Sequence, residues 1–167
     1  MNLGIIGGAD GPTAILVADQ MGFEWINILG IIIVVLMLIP NIIYAVKFRG
    51  QNKIVSNKFM KIVEQVGRYG CMILMIFSIG MPKFGFPSVG NFLVYLLGNM
   101  ILLLAYWIAW ILFFIKPCKG KSMVLAIIPT CIFLLSGWML EHWLLVIMAV
   151  LFGVAHVYVT SQQEKRD

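Results

Sequence analysis

The chain has 167 residues, enough for one soluble domain, yet 62% of them are apolar and only 11% are charged, against roughly 45–50% and 25% in soluble domains. A domain this small has too much surface for its volume to hide that much hydrocarbon from water. A soluble fold is excluded, and lipid is the expected solvent. The net charge of +5 would suit a nucleic-acid binder, but the basic residues fall between apolar stretches, where they set membrane topology. No nucleic-acid partner is expected.

The first segment, 1–25, is broken. Residues Leu3–Leu16 read LGIIGGADGPTAIL, with glycines and a proline crowded around Asp10. Such a run cannot continue as an uninterrupted helix. Gly7 and Gly8 let carbonyl oxygens turn away from helical bonding, Asp10 adds a carboxylate, and Thr13 adds a hydroxyl. Asp10 could also cap a short helix that begins near Pro12. Oxygen ligands of this kind suit a hard cation, and broken helices at membrane depth are where transporters bind coupling ions. The same residues are compatible with a plain loop that holds no ion. The glycine pattern is not that of a phosphate loop.

The stretch Ile6–Ile15, IGGADGPTAI, resembles the motif of the β subunit of sodium-translocating carboxylic-acid decarboxylases, the oxaloacetate and methylmalonyl-CoA type. In that family the motif forms a discontinuous intramembrane segment whose aspartate takes part in sodium binding. The resemblance implies that Asp10 is a sodium ligand and that Gly7, Gly8, Gly11, Pro12 and Thr13 shape the break around it. It covers Leu3–Leu16, and nothing after Met21 aligns with that family. The rest is similar only to small multi-spanning bacterial membrane proteins, a likeness that brings no function.

A membrane span needs roughly 20 mostly apolar residues. Spans are expected near 26–46, 91–115, 122–140 and 143–160, with Pro40 and Pro129 inside the first and third of these. Pro40-Asn41 should kink its helix near one end. A further span near 66–82 is shorter in charge-free length, being bounded by Arg68 and Lys83, whose side chains would have to snorkel outward. Including it gives a bundle of five transmembrane helices, with the N-terminal segment a short sixth or re-entrant element. This count also places every Lys and Arg except Lys83 on one side. The positive-inside rule then orients the chain in the plasma membrane with its N-terminus outside and the tail 161–167 in the cytoplasm. Trp25, Trp138 and Trp143 would share the outer interface as an aromatic belt.

The loop 47–68 is the largest polar piece. Ile54, Val55, Phe59, Ile62, Val63 and Val66 recur at helical spacing among Lys58, Lys61 and Glu64. That pattern predicts an amphipathic helix on the anionic lipid of the inner leaflet.

Within the spans, Asn99, Arg68 and His156 are the polar groups of interest, beside Ser78, Thr130 and Ser136. Such side chains bond neighbouring helices or, in the case of His156, could relay protons. Glu141-His142, beside Trp143, is expected to be solvated. Cys71 and Cys131 read as small buried hydrophobes, and Cys118 lies at a helix end. Ala105/Ala109 and Ala149/Gly153 are small pairs that permit close helix approach, within the bundle or toward a second copy (a homo-oligomer) or a membrane partner subunit. No nucleophile, acid–base pair or zinc spacing emerges, so no enzyme and no cofactor beyond a sodium ion is expected. The expected function is a small transport or channel-type protein linked to sodium, and the alternative is a non-transporting scaffold or accessory subunit.

Overall fold

The computed structural model describes residues 25–47, 58–80 and 85–164. They form five helices: α1 (Ile28–Lys47), α2 (Lys58–Ile76), α3 (Val89–Ile115), α4 (Lys119–Met139) and α5 (Trp143–Glu164). The segment carrying Gly7, Gly8, Asp10, Gly11 and Thr13, the linker 48–57 with Ile54 and Val55, residues 81–84 with Lys83, and residues 165–167 lie outside the described residues.

Local chemistry fixes the helix ends. Asn27 caps α1 by accepting a bond from Gly30 N at 2.9 Å, and Ser88 caps α3 through Asn91 N at 3.1 Å; each satisfies an amide that the helix itself leaves orphaned. At the end of α3, Lys121 Nζ donates to the carbonyls of Leu112 and Lys116 at 2.8 and 2.9 Å, a cation placed on the negative end of the helix dipole. The start of α1 is tied to the end of α2. Asn27 N donates to Ile76 O at 2.8 Å and Ser78 N to Trp25 O at 3.0 Å, around an antiparallel bridge between Ile26 and Phe77.

The helices pack in a ring whose order is α1, α2, α5, α4, α3 and back to α1. The tightest seams are made by small residues. A Cβ on Gly67 would sit 2.9 Å from Phe152 Cβ and 3.0 Å from Phe152 Cα, so α2 rides directly on the α5 backbone. A Cβ on Gly153 would lie 2.4 Å from Thr130 Cγ2, which gives the Ala149/Gly153 pair the close approach expected of it. The core holds Met37, Cys71, Met75, Tyr95, Tyr106, Ile132, Phe133, Leu145 and Phe152. Large apolar side chains such as Ile101, Leu104, Ile108, Ile147 and Val154 point outward.

Four of the helices, α1, α3, α4 and α5, are long and apolar enough to cross a membrane, and their bounds fall within a few residues of the expected spans. The fifth, α2, differs from expectation. Its amphipathic and apolar halves were expected as a surface helix and a separate span; over the described residues they are one continuous helix, with Arg68 in its middle. It ends at Ile76, and Gly80 beyond it takes a φ of +85°, a conformation open to glycine. Phe59, Ile62 and Val66 are exposed, while Glu64 and Gly67 are buried. The opposite face of α2 is therefore the one that meets α5.

Candidate functional site

One end of the bundle opens into a cavity of about 440 Å³. The second halves of α1, α3 and α5 and the first halves of α2 and α4 line it, so it lies at the end where the chain also places Lys47, Lys58, Lys116 and Lys121. Beside it α2 and α5 meet at the Gly67–Phe152 contact, and Phe152 also lines the cavity. Because α2 rests on Phe152 at Gly67, the residues flanking that contact, Glu64 and Arg68, are brought over α5, where His156 lies one turn beyond Phe152.

Glu64 is only 6% exposed. Its Oε1 accepts a bond from Arg68 Nη2 and lies 3.0 Å from His156 Nδ1. The Arg68 guanidinium lies 5.9 Å from the centre of the Phe152 ring, and that ring stacks on the His156 ring at 5.0 Å and 18°. One carboxylate oxygen thus has both the guanidinium and the imidazole as partners, and the cation has an aromatic face beside it. An ionised carboxylate removed from water is stable only with such partners.

The opposite wall is aromatic and carries polar tips. Asn41 Nδ2 donates to Tyr106 Oη and to Met37 O, both at 2.8 Å, from the position immediately after Pro40 within α1. Trp110 packs on Tyr44 at 5.4 Å, on Phe113 at 5.7 Å and on Tyr106 at 6.2 Å. Its indole Nε1 is buried with no hydrogen-bond partner among the described residues.

The far end of the bundle is built differently. Asn27 Nδ2 donates to Tyr95 Oη at 3.2 Å, Asn99 Nδ2 to Tyr95 O at 2.8 Å, and Ser136 Oγ to Asn99 Oδ1 at 3.3 Å. These groups are buried and satisfied. Trp25, Trp138 and Trp143 are exposed at this same end, with the last two rings 5.8 Å apart.

The structure therefore brings two expected residues together, Arg68 and His156, and sets the third, Asn99, apart in a structural network with Ser136. It corrects the expectation that Glu141-His142 is solvated. Glu141 is exposed at a φ of 54°, but His142 is 0% exposed. The turn directs its ring inward, and Nδ1 accepts from Leu145 N at 3.1 Å, so His142 caps α5. Burial holds its pKa below the usual histidine value. The acceptor role of Nδ1 requires the neutral ring with its proton on Nε2, an atom that, like Trp110 Nε1, is buried without a hydrogen-bond partner among the described residues.

Glu64, Asn41 and Trp110 were not among the expected site residues. Glu64 stands four residues before Arg68, the spacing of a helical ion pair, and that was the available signal. Its burial depended on α5. Among the described residues no three His, Cys, Asp or Glu side chains gather as a metal site.

The described residues form an all-helical fold with four helices long and apolar enough to cross a membrane, as in a multi-pass membrane protein, and a cavity with polar groups at one end. No family model, curated protein or solved structure matches the chain.

Proposed function

We propose that the chain is a small membrane transport protein of five transmembrane helices, and that the cavity around Glu64, Arg68 and His156 holds its solute. The observation that carries this reading is the buried Glu64 carboxylate, ion-paired at the bottom of a cavity between apolar helices. Ionisable groups in membrane spans are costly, and they concentrate on solute and ion pathways. The five-span reading is supported by α2 itself, which lies within the ring and buries Cys71, Leu74 and Met75. Its charged turns sit at the cavity end, where water can solvate Lys58 and Lys61. With that end in the cytoplasm, the basic residues obey the positive-inside rule and the tryptophans form an outer belt in the plasma membrane.

Sodium coupling belongs to the same proposal, and its support is the GGADGPT motif. Asp10, with Thr13 and carbonyls freed by Gly7, Gly8 and Gly11, supplies the oxygen ligands a sodium ion takes. The test is reconstitution into liposomes, with currents recorded on jumps of sodium, potassium and pH. A sodium-driven current lost in Asp10→Asn and in Glu64→Gln is expected. If sodium and potassium act alike and Asp10→Asn is unchanged, the sodium part falls. Silence under every condition, with a stoichiometric partner co-purifying, replaces transport by the scaffold reading.

A further inference from the structure

We propose that the cavity binds an amphipathic anion, with a carboxylate or phosphate head at Arg68 and Trp110 and an apolar body along the aromatic wall. The inference rests on the cavity being a solute site and names the chemical class of the solute. Three observations carry it.

The first is charge. Lys61 and Arg68 both line the cavity, and Glu64 is the one carboxylate that does so among the described residues. Glu64 neutralises one cation and leaves the other, before any proton is added to His156. Apolar walls focus that excess positive potential into the opening. Lys61 lies two helical turns before Arg68, roughly 10 Å along the axis, so it is placed to draw an anion in and Arg68 to hold it.

The second is donor capacity. Trp110 is 7% exposed, lines the cavity and has an unpartnered Nε1. An indole N–H can only donate, and a buried donor left without an acceptor is destabilising. Arg68 uses Nη2 on Glu64 and makes no other hydrogen bond among the described residues, so most of its donor fork faces no protein acceptor. The buried indole lacks an acceptor, the partly exposed guanidinium keeps donors that water or a ligand can meet, and a carboxylate or phosphate provides several acceptor oxygens.

The third is the wall. Tyr44, Tyr106, Trp110 and Phe113 present apolar area next to those donors. Their rings pack against one another at centroid distances of 5.4–6.2 Å, so they form a continuous surface and not a cage around a cation. The rings meet tilted or edge to face, at 49–87°, so an apolar body packs against their edges, and the cavity volume of about 440 Å³ falls within the range of small-molecule sites.

The head chemistry is shared by soluble organic acids and by anionic lipids. The full chain is therefore titrated in phosphatidylcholine nanodiscs with benzoate and with its uncharged isostere benzamide, by calorimetry. Benzoate is expected to bind at least tenfold more tightly than benzamide. Trp110→Phe keeps the ring and should weaken benzoate several-fold, while Arg68→Lys keeps the charge, loses the fork and should weaken it about tenfold. Repeating the titration in nanodiscs containing phosphatidylglycerol separates the sources: competition assigns the site to a lipid head, and unchanged binding assigns it to a soluble acid. Equal binding of benzoate and benzamide, or wild-type affinity in both variants, overturns the inference. Benzoate binding without any current in the reconstituted protein leaves the inference standing and removes transport. Currents without benzoate binding do the reverse.

Discussion

At the end of the bundle where the tryptophans gather, each buried polar side chain of the Asn27–Tyr95 and Asn99–Ser136 pairs has a protein partner, and the helix ends are tied by backbone bonds. At the other end the helices part around Glu64, Arg68, His156 and the unpartnered Trp110 indole. Both ends bury polar atoms among apolar helices. One uses them to close the bundle, whereas the other holds ionised groups beside open space. The difference teaches where the costs of burial fall: a satisfied network fixes one packing arrangement, while charges kept near a cavity cost stability, and under the proposed function they are the groups that meet the solute.

Four substitutions probe that contrast, taken from the largest expected effect. Gly67→Leu forces a side chain into the Phe152 backbone, separates α2 from α5 and should cost about 3 kcal/mol or more of unfolding free energy; unfolding of purified protein in detergent measures it. An effect below about 1 kcal/mol would show that the α2–α5 seam does not set the position of Glu64. Next is Glu64→Ala, which strips Arg68 of its counter-charge. Because Arg68 is partly exposed, the loss should be about 2 kcal/mol, below the 3–5 kcal/mol of a fully buried pair. The contrast sharpens if Glu64→Leu, Arg68→Met and His156→Phe are combined. That triple variant should recover or exceed wild-type stability while abolishing transport, and a triple variant that still transports would disconnect the cavity from function.

At the closed end, His142→Ala removes the α5 cap and should cost about 1 kcal/mol, with His142→Asn restoring most of it. The pH dependence follows from the lowered histidine pKa. Below the unfolded value, roughly 6.5, the unfolded chain takes up a proton that the folded ring resists. The stability from His142 is therefore complete above that value and is lost as pH falls through the folded pKa. Wild type and His142→Asn should then converge toward acid pH, and parallel curves would exclude the cap. Asn99→Ala should have the smallest effect, about 0.6 kcal/mol, the average for a hydrogen bond between membrane helices.

Much of the fold was legible from hydropathy because four helices have long charge-free runs, and lipid demands such runs whatever the packing. The identity of α2 was harder to read. Its polar half, with Lys58, Lys61, Glu64 and Arg68, has the composition of a surface helix, and nothing local distinguishes a glutamate facing solvent from one facing α5. Gly67 decides that, yet a single glycine in a helix has several uses. His142 was misread for a related reason, since a histidine in a short polar turn gives no sign that the turn will direct its ring inward.

From its sequence alone this protein is assigned to lipid and to its apolar helices, because those follow from how much hydrocarbon water must not meet. The pairing of Glu64 with Arg68 and His156, the open end of the bundle and the orphaned Trp110 donor were decided only by tertiary structure. They depend on which helix faces lie within van der Waals contact, and that is settled by small residues such as Gly67 and Gly153 acting between segments far apart in the chain.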